Sequence, residues 1–188
     1  MPRLADTVSR LEANVTAHST DNEILEIVDE DDNVIGLATR AEIHGKGLIH
    51  RAVHIFVFNS AGEIYVQRRS ATKDKFPGVL DSSAAGHVDP GESYEWAAVR
   101  ELQEELGLTG QVEEVLRVNA CPVTDNEHVV LYAVKTDGEP APNSDEIQWG
   151  GFMMRDSLTN RMKEEPEDFV PAFVHLWNEF RKLERAVQ

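Results

Sequence analysis

The chain of 188 residues carries a single cysteine, Cys121, so it can form no internal disulfide and is not a bridge-stapled scaffold. A lone thiol of this kind is expected to be a small buried side chain. The sequence has no apolar run long enough to cross a bilayer, and residues 1–15 lack the apolar stretch of a secretory signal, so the expected location is cytoplasmic. Basic residues are scarce: 18 Lys and Arg stand against 34 Asp and Glu, a formal net charge of −16. Phosphate backbones are held chiefly by Lys and Arg, so neither a nucleic-acid polymer nor a membrane is expected as partner. A small phosphorylated molecule arriving with its own metal remains compatible. What is present is ordinary globular usage, 41% hydrophobic and 28% charged, at a length suited to one well-buried domain.

Apolar residues Leu4, Val8, Leu11 and Val15 recur at helical spacing, which predicts an N-terminal arm or short helix over residues 1–20, ahead of a single domain over 21–188. Residues 24–28 and 34–37 read as two strands joined through an acidic turn, and Thr39 with Glu42 offers a capping box for a short helix. Residues 53–58 and 63–68 form a hairpin pattern closed through Asn59, Ser60, Ala61 and Gly62. Further strands are expected near 112–118, 128–134 and 147–153. A helix over 171–185 opens on Pro171, a residue suited to a first turn. Strands interleaved with a few helices around one core indicate a layered α+β domain with a mixed sheet. Trp149, Phe152, Met153 and Met154 fit core packing at strand spacing, with a pocket wall as the alternative. His54, between apolar neighbours on its strand, also fits core packing.

The chemistry is concentrated in residues 86–108, GHVDPGESYEWAAVRELQEELGL. Ser93 can cap a helix that runs to Leu106, and Gly107 can take the left-handed conformation that ends it. On that helix Glu101, Glu104 and Glu105 stand at i, i+3 and i+4, so their carboxylates project together beside an apolar stripe of Ala98, Leu102 and Leu106. Carboxylates this close raise one another's pKa unless a cation neutralises them, and oxygen-only ligands favour Mg2+ or Mn2+.

Gly86, Glu92, Arg100, Glu101, Leu102, Glu104, Glu105, Gly107 and Leu108 together make a pattern that resembles the complete Nudix box. That resemblance implies a Nudix-like α/β/α sandwich around a central mixed sheet, and metal-assisted hydrolysis of a diphosphate linkage in a small organic substrate. It further implies that the Gly86 carbonyl and Glu92 join Glu101, Glu104 and Glu105 in the metal network. Arg100 is expected to orient a box carboxylate through a charge-assisted hydrogen bond. Relatives take their general base either from the box or from a distant loop, which leaves Glu104, Glu127 and Glu146 as candidates here, with Glu104 ranked first.

Beyond the box, His50-Arg51-Ala52, the strand into Arg69, the loop SATKDKFPG and Ala85-Gly86-His87 resemble the branch of that superfamily containing isopentenyl-diphosphate isomerase and its hydrolase-like relatives. In that branch Arg69 and Lys73 fall on diphosphate-contacting positions. His44, His50 and His87 fall on or near positions that bind a second metal, although His44 and His50 stand one residue closer together than in the isomerases. A homodimer is one assembly open to such a chain. The isomerases carry a catalytic Cys where this chain has Ala85, and a degraded box where this chain keeps Arg100, Glu101, Glu104 and Glu105. Alanine can neither give nor take a proton, so these residues favour hydrolysis. The alternatives are an isomerase working without that Cys and a non-catalytic nucleotide-binding module.

Overall fold

A computed structural model of the chain describes residues 20–186. The apolar stripe of the expected N-terminal arm, Leu4 to Val15, lies outside the described residues. Two strands, β1 (Ile24–Val28) and β2 (Val34–Thr39), form a small antiparallel sheet of their own. Thr39 then caps α1 (Arg40–Lys46), its side chain accepting the Glu42 N–H at 3.3 Å, and Gly47 closes the helix in the left-handed region at φ 64°.

The main sheet begins with β3 (His50–Phe58) and β4 (Ile64–Arg69), joined by a turn in which the Asn59 side chain accepts the Glu63 N–H at 2.9 Å. Two short strands follow, β5 (Leu80–Asp81) and β6 (Ala84–His87), then α2 (Tyr94–Leu106), β7 (Glu113–Val118), β8 (Glu127–Lys135) and β9 (Ile147–Met153). The chain closes with α3 (Arg155–Glu164) and α4 (Pro171–Ala186). The seven strands run in the order β5-β4-β3-β8-β7, with β6 also on β3 and β9 also on β4. β3 and β8 are parallel and the other pairs antiparallel, so the sheet is mixed.

Alternation along β3 decides the layers. Ala52, Phe56 and Phe58 point to one face, where they meet Leu158 and Met162 of α3 and Phe173, Leu176, Trp177 and Phe180 of α4. Val53, Ile55 and Val57 point to the other, against Ala97, Ala98, Leu102 and Leu106 of α2. The result is an α/β/α sandwich with a core on each side of the sheet. Among the described residues no helix is long and apolar enough to cross a membrane.

Several expectations need correction. Trp149 and Met154 are 50% and 57% exposed rather than packed in the core, while Phe152 does pack, edge-on against Tyr65, and Met153 lies against the α3/α4 core. The Trp149 ring bends back over Gly151, whose missing side chain leaves room for it. Cys121 is only partly buried, its Sγ 3.6 Å from the Thr124 hydroxyl. Helix α3 and strands β5 and β6 have no counterpart in the sequence reading. RDSLTNRMKE buries only Leu158 and Met162, too few apolar positions for a stripe, and AAGH has little β-forming character.

Candidate active site

Helix α2 is held at both ends: Ser93 Oγ accepts the Trp96 N–H at 3.2 Å, and Gly107, at φ 64°, returns its N–H to Gln103 O. Ala98, Leu102 and Leu106 are fully buried, and this fixes the helix rotation. Glu101 and Glu105, one turn apart on the neighbouring stripe, are thereby carried toward the sheet. Glu105 is buried and accepts a hydrogen bond from Gln67 Nε2 at 2.7 Å, while Glu104 remains on the exposed rim. Of the three carboxylates expected to project together, Glu101 and Glu105 are thus drawn inward, and Glu104, 59% exposed, faces solvent.

Arg100 links Glu101 to Glu104. Its Nη1 donates to Glu101 at 2.6 Å and to Glu104 at 3.3 Å, and its Nε and Nη2 clasp both oxygens of Glu92 at 3.2 and 2.9 Å. Nη2 also donates to the His87 carbonyl at 2.9 Å, linking the helix to β6. Glu92 thus serves as the partner of Arg100 in this arrangement. Against burial, which opposes charge, the Glu92 and Glu101 carboxylates raise the guanidinium pKa further still.

Gly86 explains why a glycine opens the pattern. A Cβ built there would lie 2.0 Å from Glu101 Oε1, so the carboxylate occupies the space a side chain would fill. Burial pushes the Glu101 carboxyl up, although Arg100 beside it works the other way. Glu105 is pushed up to about 8 by burial and by the nearby Glu101 carboxylate. A buried carboxyl that takes up protons this readily is under-neutralised, and an all-oxygen set around it fits a hard divalent cation.

A second cluster lies at the start of β3. The parallel register sets His50 beside Glu127, and His87 on β6 and His44 on α1 complete it. The three rings are 4.8 to 5.4 Å apart between centroids, and each offers a nitrogen within 4.8 Å of the others. Among the described residues this is the group of metal-capable side chains that stands closest together.

Glu127 Oε1 lies 3.4 Å from His50 Nε2 and 3.5 Å from His87 Nε2. The contact to His50 lacks hydrogen-bond alignment, and His50 Nε2 and His44 Nε2 are both buried without a hydrogen-bond partner among the described residues. Two orphaned imidazole nitrogens facing the same cluster are what a nitrogen-preferring metal would satisfy. Despite burial, Glu127 and Glu23 raise His87 to about 9, and the histidines in turn hold Glu127 well below the ordinary carboxylate range. Glu127, a candidate base in the sequence, therefore sits among the histidines and not with the box glutamates.

The two candidate diphosphate cations flank this region and are already engaged. Arg69 Nη1 donates to Asp81 at 2.9 Å, and Lys73 pairs with Glu146. Gln67, Asp81, Asp125 and Glu23 were missed in the sequence. Asp125 accepts from Lys75, whose ammonium also lies 2.8 Å from His44 Nδ1, and Asp125 Oδ2 is 3.0 Å from that same nitrogen. The alternation of Gln67 with Arg69 on one strand, and of Asp125 with Glu127, was the available signal.

Comparison with known proteins places this geometry. The NUDIX domain family model matches residues 48–173. An uncharacterised Nudix hydrolase of Streptomyces coelicolor is 36% identical over 156 residues, covering 81% of this chain and 85% of that one. An isopentenyl-diphosphate Delta-isomerase of Photorhabdus laumondii is 37% identical over 147 residues, covering 74% of this chain and 83% of its own. The crystal structure of DR0079 from Deinococcus radiodurans superposes with a TM-score of 0.73 at 28% identity, over 85% of this chain and 98% of the other. That of a MutT protein from Methanosarcina mazei shares the fold, with a TM-score of 0.61 at 19% identity over 71% and 93%.

Proposed function

Since the chain belongs to the Nudix family, we propose that it is a metal-dependent pyrophosphohydrolase that cleaves the diphosphate linkage of a small nucleotide or other organic diphosphate. The observation that carries this reading is Glu101 seated against the side-chain-free Gly86 one helical turn from the buried Glu105, with Arg100 linking Glu101 to the exposed Glu104. Glu101, Glu104 and Glu105, with the Gly86 carbonyl, would hold Mg2+ or Mn2+. When bound, such an ion supplies charge stabilisation on the phosphoryl group and a lowered pKa for water.

The chain's own groups do the rest. Arg69 and Lys73 hold the anionic phosphates, Arg as a fork and Lys as a compact charge. Arg100 fixes the carboxylates so that little reorganisation is needed during reaction. Glu104, on the solvent side, accepts the proton of the attacking water as its oxygen bonds to phosphorus. The bond to the leaving phosphate then breaks, its electron pair going to the departing oxygen. His44, His50, His87 and Glu127 would hold a second ion, for which a nitrogen-rich set suits zinc better than magnesium. A cytoplasmic setting suits such a substrate.

The histidine cluster and the isomerase-named relatives favour one second reading, an isoprenoid-diphosphate isomerase. Against it, Ala85 offers no acid or base. One screen separates the two: diphosphates of the nucleotide, nucleotide-sugar, coenzyme and isoprenoid classes are incubated with Mg2+ in deuterated water. Release of phosphorylated fragments is expected, slowed at least about 100-fold by Glu105→Gln. Deuterium uptake into isopentenyl diphosphate without hydrolysis of any member would overturn the proposal.

A further inference from the structure

We infer that Glu146 holds, in the substrate-free protein, the position on Lys73 that a substrate phosphate takes, so that this residue sets the affinity of the site for its diphosphate. The inference rests on the proposed role of Lys73 in binding that diphosphate. The Lys73 ammonium is largely withdrawn from water, and burial pulls its pKa down. Glu105 and Glu101 draw on its charge while Arg69 and Arg40 oppose it. An ammonium in such a place needs a direct counter-charge, and Glu146 supplies it.

Glu146 reaches Lys73 from the segment between β8 and β9, which the backbone stitches to both halves of the site. Ser70 N–H, beside the Lys73 loop, donates to Glu146 O at 2.8 Å, and Glu146 N–H donates to Asn143 O at 3.1 Å. Asn143 and Ala141 N–H groups donate, each at 2.8 Å, to Glu105 O and Leu106 O at the end of α2. The segment therefore lies between the loop that carries Lys73 and the helix that carries the box glutamates.

The two cations differ in what a phosphate must displace. Asp81, the partner of Arg69, is 2% exposed and locked by the Ser82 N–H at 2.8 Å, whereas the Glu146 side chain is about one-third exposed. Arg69 can meet a phosphate through its remaining donors without giving up Asp81. A phosphate brought to Lys73 beside a retained Glu146 would put like charges in contact in a half-buried place. Exchange is the lower-energy course. A carboxylate held on an ammonium in this way competes with substrate and is not placed to take a proton from water.

The test is binding of methylenediphosphonate, a diphosphate that cannot be hydrolysed at its bridge, measured by calorimetry in Mg2+ for the full chain and its Glu146→Gln variant. The variant is expected to bind about three- to ten-fold more tightly, the range an ion-pair competitor of this kind supports. In a Lys73→Ala background the same change should bring no gain. Steady-state kinetics on any substrate found should show KM falling by the same factor with kcat not reduced. Unchanged or weaker binding overturns the inference. So does a kcat loss of tenfold or more at unchanged KM, which would make Glu146 the base. If the parent chain hydrolyses no diphosphate but the gain in binding is present and depends on Lys73, the hydrolase reading fails and this inference stands.

Discussion

A histidine ring removed from water favours its neutral form, and His54 on β3 is such a ring. It is 5% exposed, and its Nδ1 lies 2.7 Å from Ser82 Oγ, which is itself 3.3 Å from Asp81 Oδ1. Arg69 donates to Asp81, and the Ser82 hydroxyl lies within hydrogen-bond reach of both Asp81 and the His54 ring. Burial lowers its pKa from the ordinary 6.5, with Asp81 and Glu127 pulling upward and Arg69 downward. In the unfolded chain the ring takes a proton as pH falls through 6.5, while in the folded chain it does so only at lower pH. The unfolded state therefore binds more protons in that window, and stability drops as pH falls through it. Urea melts of the parent and of His54→Gln between about pH 7.5 and 5 should show a shallower loss in the variant. Parallel curves would show that another group carries the acid sensitivity.

At the scale of elements, the helices that were legible from the sequence are those with strong local punctuation. Ser93 and Gly107 mark α2, Thr39 marks the start of α1, and Pro171 opens α4, and each of these ends lies where those residues place it. Strands β3, β4, β8 and β9 were legible as apolar stretches, short of their true ends by up to three residues on β3, because His50 and Arg51 do not look like strand residues until β8 pairs with them. The site was legible where its residues adjoin in sequence. It was not where segments distant in sequence bring them together, as with Gln67 and Glu105, or Asp125 and His44. Packing, more than punctuation, secures these elements. Trp177 of α4 is fully buried against Phe56 and Phe180, each ring 5.6 to 5.7 Å away, and its indole N–H donates to Thr159 on α3 at 3.0 Å. Removing it takes away a core side chain and leaves Thr159 short of a partner. Trp177→Ala should cost about 3–5 kcal/mol, against about 1 kcal/mol for loss of the α2 cap in Ser93→Ala. Denaturant unfolding of both variants checks the ranking, and equal losses would mean that α4 adds little to the core.

For the whole molecule the governing quantity is charge. A net −16 on 188 residues implies self-repulsion that simple salt relieves, so NaCl alone should raise the melting temperature. Magnesium should do more than screen, because Glu101 and Glu105 are buried close to one another with their pKa values raised. An ion bound by the folded chain alone, at about 100 times its dissociation constant, adds about 2.7 kcal/mol. At this size that corresponds to about 5–11 °C beyond a NaCl sample of equal ionic strength. Glu105→Gln removes one of the two buried carboxylates and should abolish most of that excess while leaving the response to NaCl intact. Identical melting temperatures in MgCl2 and NaCl at matched ionic strength would reduce the acidic helix face to a screened surface, and with it would go the physical basis for hydrolysis at this site.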